Sequence, residues 1–261
     1  MIKDKNEYLA AKKRTQIGNI IFNLINAIVL TLLVVVTVYP FWNTIAISFN
    51  DGLDAVAGGI KLWPRKFTWQ NYKALFTTNQ IFTAFIISVT RTVLQAILSV
   101  FCTAMLAYAL SRKEFVIRKP LTSVLVISMY VSAGLIPSYM LIKNLGLLNS
   151  YWVYIIPNLV DVFNFILVRT YINGLPDSFV ESARIDGANE FKIFLSIIFP
   201  LIVPSIAMIC LFVAVGAWNS WFDTYLYASA KPKLYSLQYV LMQFLNSSQN
   251  QSNSAADANA M

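Results

Sequence analysis

Residues 176–200 read PDSFVESARIDGANEFKIFLSIIFP, and they set the plan of the chain. The stretch carries Asp177, Glu181, Asp186 and Glu190 against Arg184 and Lys192, and it lies between two long apolar runs. Its pattern is that of two helices and a turn. Ser178-Phe-Val-Glu181 has the spacing of a capping box, in which hydroxyl and carboxylate satisfy free backbone N–H groups at a helix start. Asp186-Gly187 supplies a stop, because glycine accepts the positive φ that ends a helix. Phe191, Phe194, Leu195 and Ile198 follow at i, i+3, i+4 and i+7, one apolar stripe of a second helix. Pro200 and Pro204 open the next apolar run. The expectation is a short helix–turn–helix outside any membrane, with exposed acidic and apolar residues that suit a partner subunit. An amphipathic helix resting on lipid is the plainer reading, but such helices are usually basic and this one is acidic.

Outward from this segment the chain is apolar. Hydrophobic residues make up 57% of its 261 positions and charged residues 12%, about half the usual share of a soluble protein. The mean hydropathy of +0.61 agrees. A bilayer core needs roughly 20 helical residues, and five stretches qualify: Thr15 to Asn50, Arg91 to Arg112, Pro120 to Ile142, Tyr151 to Val168 and Leu201 to Phe222. Arg91 and Arg112 would stand about 31 Å apart along a helix, so Arg91 reads as an anchor at one interface and Arg112 at the other. Lys3, Lys5, Lys12, Lys13 and Arg14 in the N-terminal tail, with Arg112, Lys113, Arg118 and Lys119, mark the cytoplasmic side. Segment 176–200 is then cytoplasmic too. The fold class expected is an all-α polytopic membrane bundle. A tail, first span and outer loop would occupy residues 1–80, and the main transmembrane domain residues 81–261. No sixth span is legible, because residues 246–261 are polar; five spans would leave the C-terminus outside, and a chain cut within its last outer loop is the simplest expectation.

The chain has no histidine, which excludes imidazole acid–base chemistry and imidazole metal sites. Cys102 and Cys210 lie in apolar runs and read as small hydrophobes, so no metal site is expected. There is no G-x-x-x-x-G-K-[ST] phosphate loop, hence no ATP site and no cofactor. The net charge of +8 fits inner-loop lysines and arginines better than a nucleic-acid partner.

Glu181-Ser-Ala183-Arg-Ile-Asp186-Gly187-Ala188, followed by Phe194, Ile197 and Pro200, resembles the EAA loop of ABC importer permeases. Ser182 and Phe199 depart mildly from that pattern. Leu62 to Tyr72, Ala107 to Arg112, Gly134 to Pro137, Phe163 to Arg169 and Trp218-Asn219 resemble motifs of MalG-type carbohydrate permeases, and together they cover most of the chain from Tyr39 onward. The resemblance implies a type I importer permease in the bacterial cell membrane. Its partners would be a MalF-like sister permease, two ABC ATPase subunits and an extracytoplasmic solute-binding protein, with a sugar as cargo. It implies that the loop at 177–200 couples to the ATPase through Glu181, Ala183, Asp186, Gly187, Ala188, Phe191 and Phe194, with Pro200 closing the motif.

Asn158, Asp161 and Asn164 fall at i, i+3 and i+6 of the fourth span and would share one helix face. A carboxylate there costs about 2.5–3.5 kcal/mol on insertion scales, so it should face protein or a water-filled path. That face reads either as a sugar path or as polar contacts between helices. Trp218 and Asn219 read either as stacking on a sugar ring or as an interfacial anchor. The competing function is an ion-coupled secondary carrier using Asp161, which leaves the EAA-like loop without a purpose.

Overall fold

The structure is a computed structural model describing residues 2–56, 58–77 and 79–247. The polar run expected at the C-terminus lies, from residue 248 on, outside the described residues. The chain divides into two compact units, Met1–Thr77 and Thr78–Met261.

The first unit is built on α1 (Ile2–Ser48), whose part from Asn19 to Ser48 is long and apolar enough to cross a membrane. Its leucine, isoleucine and valine side chains are exposed on every side, a surface suited to lipid rather than water. Two short helices follow, α2 (Gly52–Val56) and α3 (Gln70–Thr77). The segment between them is folded back by an isolated antiparallel bridge between Asn50 and Phe67. Asn71 Nδ2 donates to the Ser48 and Asn50 carbonyls, and the rings of Phe49, Phe67, Trp69 and Tyr72 pack together at 5.1–5.9 Å. The Leu62–Tyr72 motif is thus the wall of a small aromatic cluster.

The second unit is organised around α4 (Asn79–Ser111), which packs against α7 (Val162–Asn173) and α11 (Val203–Asn219). Small residues of α4, Ala96, Ser99, Ala104 and Ala107, are buried there, which lets the helices approach closely. Between these elements lie α5 (Arg118–Tyr130), α6 (Leu135–Asn144), two 3-10 turns (Tyr151–Tyr154 and Ile156–Asn158), and then α8 (Ser178–Ile185) and α9 (Glu190–Ile193). A π-turn (Phe194–Ile198) and α10 (Phe199–Leu201) lead into α11; α12 (Phe222–Tyr227) and α13 (residues 237–247) complete the unit. The molecule is all-α, as the sequence led us to expect.

Several expected spans are not continuous helices. The third breaks at Val131–Gly134, where Gly134 takes φ 86° and Pro137 cannot pair with the turn before it. The fourth is broken near Pro157 into 3-10 turns and α7, with a bend of 45°. The fifth is reached through an 82° bend between Glu190–Leu201 and Val203–Asn219. The second starts at Asn79, so Arg91 lies twelve residues inside its helix rather than at its end. Arg91 is 1% exposed, which corrects its reading as an interface anchor: its charge is met by protein, not by headgroups or water.

Candidate functional site

Two constellations stand out in the second unit. The first is a polar cavity of about 670 Å³, within the range of ligand sites. Its polar lining comes from α4 (Gln95, Ser99), from the break before α7 (Asn158, Asp161) and the first turn of α7 (Asn164), and from just beyond α11 (Ser220, Asp223). The expected trio does meet here, although not as one face of a helix. Asn158 ends a 3-10 turn, and its side chain donates to the Tyr154 carbonyl. Asp161 is the N-cap of α7, its Oδ1 accepting from the Asn164 backbone N–H at 2.8 Å. The carboxylate that looked like a mid-helix charge is therefore a cap, stabilised by the unpaired N–H groups and positive end of the helix. Trp218 and Asn219 do not line the cavity: Trp218 packs edge-on against Phe85, and Asn219 accepts from Gln238.

Sequence reading missed the support behind this cavity. Arg91 Nη1 donates to both oxygens of Asp223 at 3.2–3.3 Å, and Nη2 donates to the carbonyls of Ala217 and Ser220, which end α11. The guanidinium also lies 5.0 Å from the centre of the Tyr154 ring. One cation thus ties α4, the end of α11, Asp223 and the broken fourth span. The available signal was the pairing of an arginine and an aspartate that both fall beside apolar runs.

The second constellation is the helix–turn–helix. Asp186, Gly187 and Ala188 close α8: the Gly187 N–H reaches the Arg184 carbonyl and the Ala188 N–H the Ala183 carbonyl, both at 3.0 Å. This is the pair of bonds of a Schellman motif, with Gly187 at φ 75°. The expected capping box does not form. Asp177, not Ser178, is the N-cap, and it makes no side-chain cap bond. The second helix has a cap that we did not expect, Asn189 Oδ1 accepting from the Lys192 N–H at 2.8 Å. The expected stripe is also split. Phe194 and Ile198 are buried beside Ile193, whereas Phe191 and Leu195 are exposed, because the π-turn abandons the 3.6-residue period.

Of the residues read as the coupling surface, Ala183 and Phe194 belong to the chain's own core, and Ala188 packs against it. Glu181, Asp186, Gly187, Phe191 and Pro200 are exposed. So is Ile185, 86% exposed and not among the expected residues. Ion pairs hold the hairpin to the loop after α4. Arg184 reaches Glu114 at 2.6 Å and Glu190 at 2.8 Å, and Lys113 reaches Asp177 at 2.9 Å. Tyr108 donates to Glu190 at 2.6 Å. The Arg184 hydrogen bond pulls the Glu114 carboxyl down to about 2, and Lys113 lowers Asp177. The two carboxylates raise Arg184 in turn.

Comparison with known proteins places this architecture. The profile of the binding-protein-dependent transport system inner membrane component family matches residues 117–256. Among similar proteins is the polygalacturonan/rhamnogalacturonan transport system permease protein YtcP of Bacillus subtilis strain 168, 36% identical, with 87% of this chain and 79% of that protein aligned. The galactooligosaccharides transport system permease protein GanQ of the same organism is 33% identical over 72% of this chain and 68% of its own length. A crystal structure of a bacterial ABC transporter involved in the import of the acidic polysaccharide alginate superposes with a TM-score of 0.79 at 28% identity, covering 85% of this chain and 79% of that one.

Proposed function

This chain belongs to the family of binding-protein-dependent transport system inner membrane components, and from that premise we propose that it is one of two permease subunits of an ATP-driven oligosaccharide importer. It is a multi-pass membrane protein and a transport component, not an enzyme of its own. The saccharide cargo is argued from relatives whose names specify oligosaccharides or polysaccharides. It is supported by a cavity lined with amides, hydroxyls and carboxylates beside Phe163 and Phe212, groups suited to sugar hydroxyls and to the apolar faces of the ring. The partners are a sister permease that completes the path, two ATPase subunits and an extracytoplasmic binding protein. The N-terminus is cytoplasmic by its lysines.

The observation that carries the reading is the helix–turn–helix at 178–201. A cap-closed acidic hairpin presents Glu181, Ile185, Asp186 and Phe191 outward while its rear face is locked into the bundle. It has the form of a part that is gripped from outside and moves the helices behind it. Ile185 is the apolar anchor for the ATPase, and Gly187 sets the angle between the two helices. Its disposition leaves Ala183 and Phe194 as packing residues that transmit force without touching the partner.

The test is Ile185→Asp in the complete importer. The variant should insert normally and lose co-purification with the ATPase subunits by about tenfold or more, since hot-spot truncations at partner surfaces typically cost 2 kcal/mol or more. Unaltered co-purification and uptake would refute the assigned coupling surface.

A further inference from the structure

The end of α1 holds a loop at the height of the membrane surface. About 20 helical residues cross the hydrocarbon core, so a crossing that begins at Asn19 leaves the core near Tyr39. Trp42 and Asn43 follow, in the headgroup layer, and there the returning chain is clamped. Trp42 Nε1 donates to the Leu62 carbonyl, and Asn43 Nδ2 to the carbonyls of Ile60 and Lys61, each at 2.8 Å. Ser48 ends the helix about 9 Å further on, at 1.5 Å per residue. The chain thus rises past the surface and folds back onto it instead of standing out in water.

The returning segment is braced from within. Arg65 donates to Asp54 Oδ2 at 3.1 Å and to the Gly58 carbonyl at 2.6 Å, and Ile60 is buried. Yet Leu62, Trp63, Phe67, Trp69 and Phe76 are exposed, Trp63 by 73% and Phe76 by 81%. So many large apolar side chains on so short a stretch make a patch that water disfavours. Trp69, Lys73 and Phe76 follow at i, i+4 and i+7, and the Lys73 N–H bonds to the Trp69 carbonyl, so the three share one face of α3. Lys61, Lys66 and Lys73 are exposed as well and make no ion pair among the described residues. These lysines stand across the bilayer from the N-terminal tail, on the side where membrane proteins are usually poor in them. Rings that seat at the acyl boundary, with lysine stems passing them to reach phosphate, are the composition of a surface-lying anchor. Lipid is also continuous with the patch, because α1 exposes apolar side chains on every side up to the clamp.

We propose that segment 60–76 is an interfacial anchor that lies in the headgroup layer beside α1 and binds anionic phospholipid. Its rings sit at the acyl boundary, and Lys61, Lys66 and Lys73 meet the lipid phosphates. Arg65, engaged in the loop's own brace, takes no part. The proposal requires that α1 cross the membrane and is independent of the cargo.

The test uses the complete importer in nanodiscs of phosphatidylcholine and phosphatidylglycerol. Gln70, exposed beside the patch, is replaced (Gln70→Cys) and labelled with bimane in an importer otherwise free of cysteine, with Cys102→Ala and Cys210→Ala. Lipid brominated near the top of its acyl chains quenches bimane on contact, and the bromine is carried by one lipid or the other at equal mole fraction. Both should quench, phosphatidylglycerol about fivefold more efficiently, the contribution of one lysine at about 1 kcal/mol. Lys61→Gln, Lys66→Gln and Lys73→Gln together should abolish that preference and leave the quenching by phosphatidylcholine. If the triple variant does not assemble, the wild-type comparison decides alone. Equal quenching by the two lipids, or a preference unmoved by the triple variant, overturns the anionic-lipid site. Absence of quenching by either lipid, with the label shielded only when the extracytoplasmic binding protein is added, overturns the anchor and gives the patch to a protein partner. None of these outcomes bears on what the importer carries.

Discussion

Gly187 shows how much depends on one backbone angle. A side chain there would meet open space, since no atom lies within 4 Å of its ideal Cβ position. The constraint is therefore conformational: φ of 75° is natural for glycine, tolerated by asparagine and strained for a β-branched residue. Gly187→Asn should retain most uptake. Gly187→Val should lose it by about tenfold or more while membrane insertion stays normal, the strain being on the order of 1–2 kcal/mol. Equal activity of the two variants would show that the turn is not the controlling feature. Arg91 carries the opposite kind of constraint, in which contacts decide: both of its Nη groups are engaged. Arg91→Ala removes the cation that faces Asp223 and the donor to the Ala217 carbonyl, and it should lower stability by about 3 kcal/mol. Thermal unfolding in nanodiscs would read this. A shift no larger than that of an exposed substitution such as Val116→Ala would contradict the buried hub.

At the level of elements, the hairpin is attached to the loop after α4 by charge as well as by packing. Glu114 has its carboxyl held near 2 by Arg184, against an ordinary value of 4.5, and Asp177 is lowered by Lys113. Because the folded-state values are depressed, the attachment is fully present above about pH 4.5 and is lost as pH falls toward 2. A spin-label pair at positions 116 and 185, both highly exposed, should keep one narrow distance from pH 7 to 5 and broaden below 4.5. Broadening already between pH 7 and 5 would mean that other groups hold the hairpin. The hairpin was also the most legible element in the sequence. Gly187 and the acidic balance announced a turn and a cytoplasmic surface, because both signals are local. The failed capping box and the split stripe were illegible for a shared reason. Ser178 spacing does not reveal that Asp177 takes the cap position, and Phe191-to-Ile198 periodicity assumes a 3.6-residue turn that the π-turn does not keep.

Across the whole molecule, hydropathy made the all-α membrane class legible, since long uncharged stretches have few other solutions. It did not reveal the breaks at Val131–Gly134 and around Pro157, because apolar composition is the same on either side of a bend. Nor did it place Arg91, whose partner Asp223 is 132 residues away in sequence. The break around Pro157 is what brings Asn158, Asp161 and Asn164 into the cavity from three different local structures. The path and the hairpin both belong to the second unit, with α4 and α11 contributing to each: α4 gives Ser99 to the cavity and Tyr108 to the hairpin, and α11 runs on from α10. The proposal on which the functional account depends is that the chain is a permease subunit of an ATP-driven oligosaccharide importer, gripped through the hairpin. The measurement that tests it most directly is oligosaccharide uptake by the complete importer in proteoliposomes, with ATP inside or outside the vesicles and with ion gradients collapsed. The account predicts uptake that requires ATP and the binding protein and persists without any ion gradient; uptake driven by an ion gradient in the absence of ATP would contradict it.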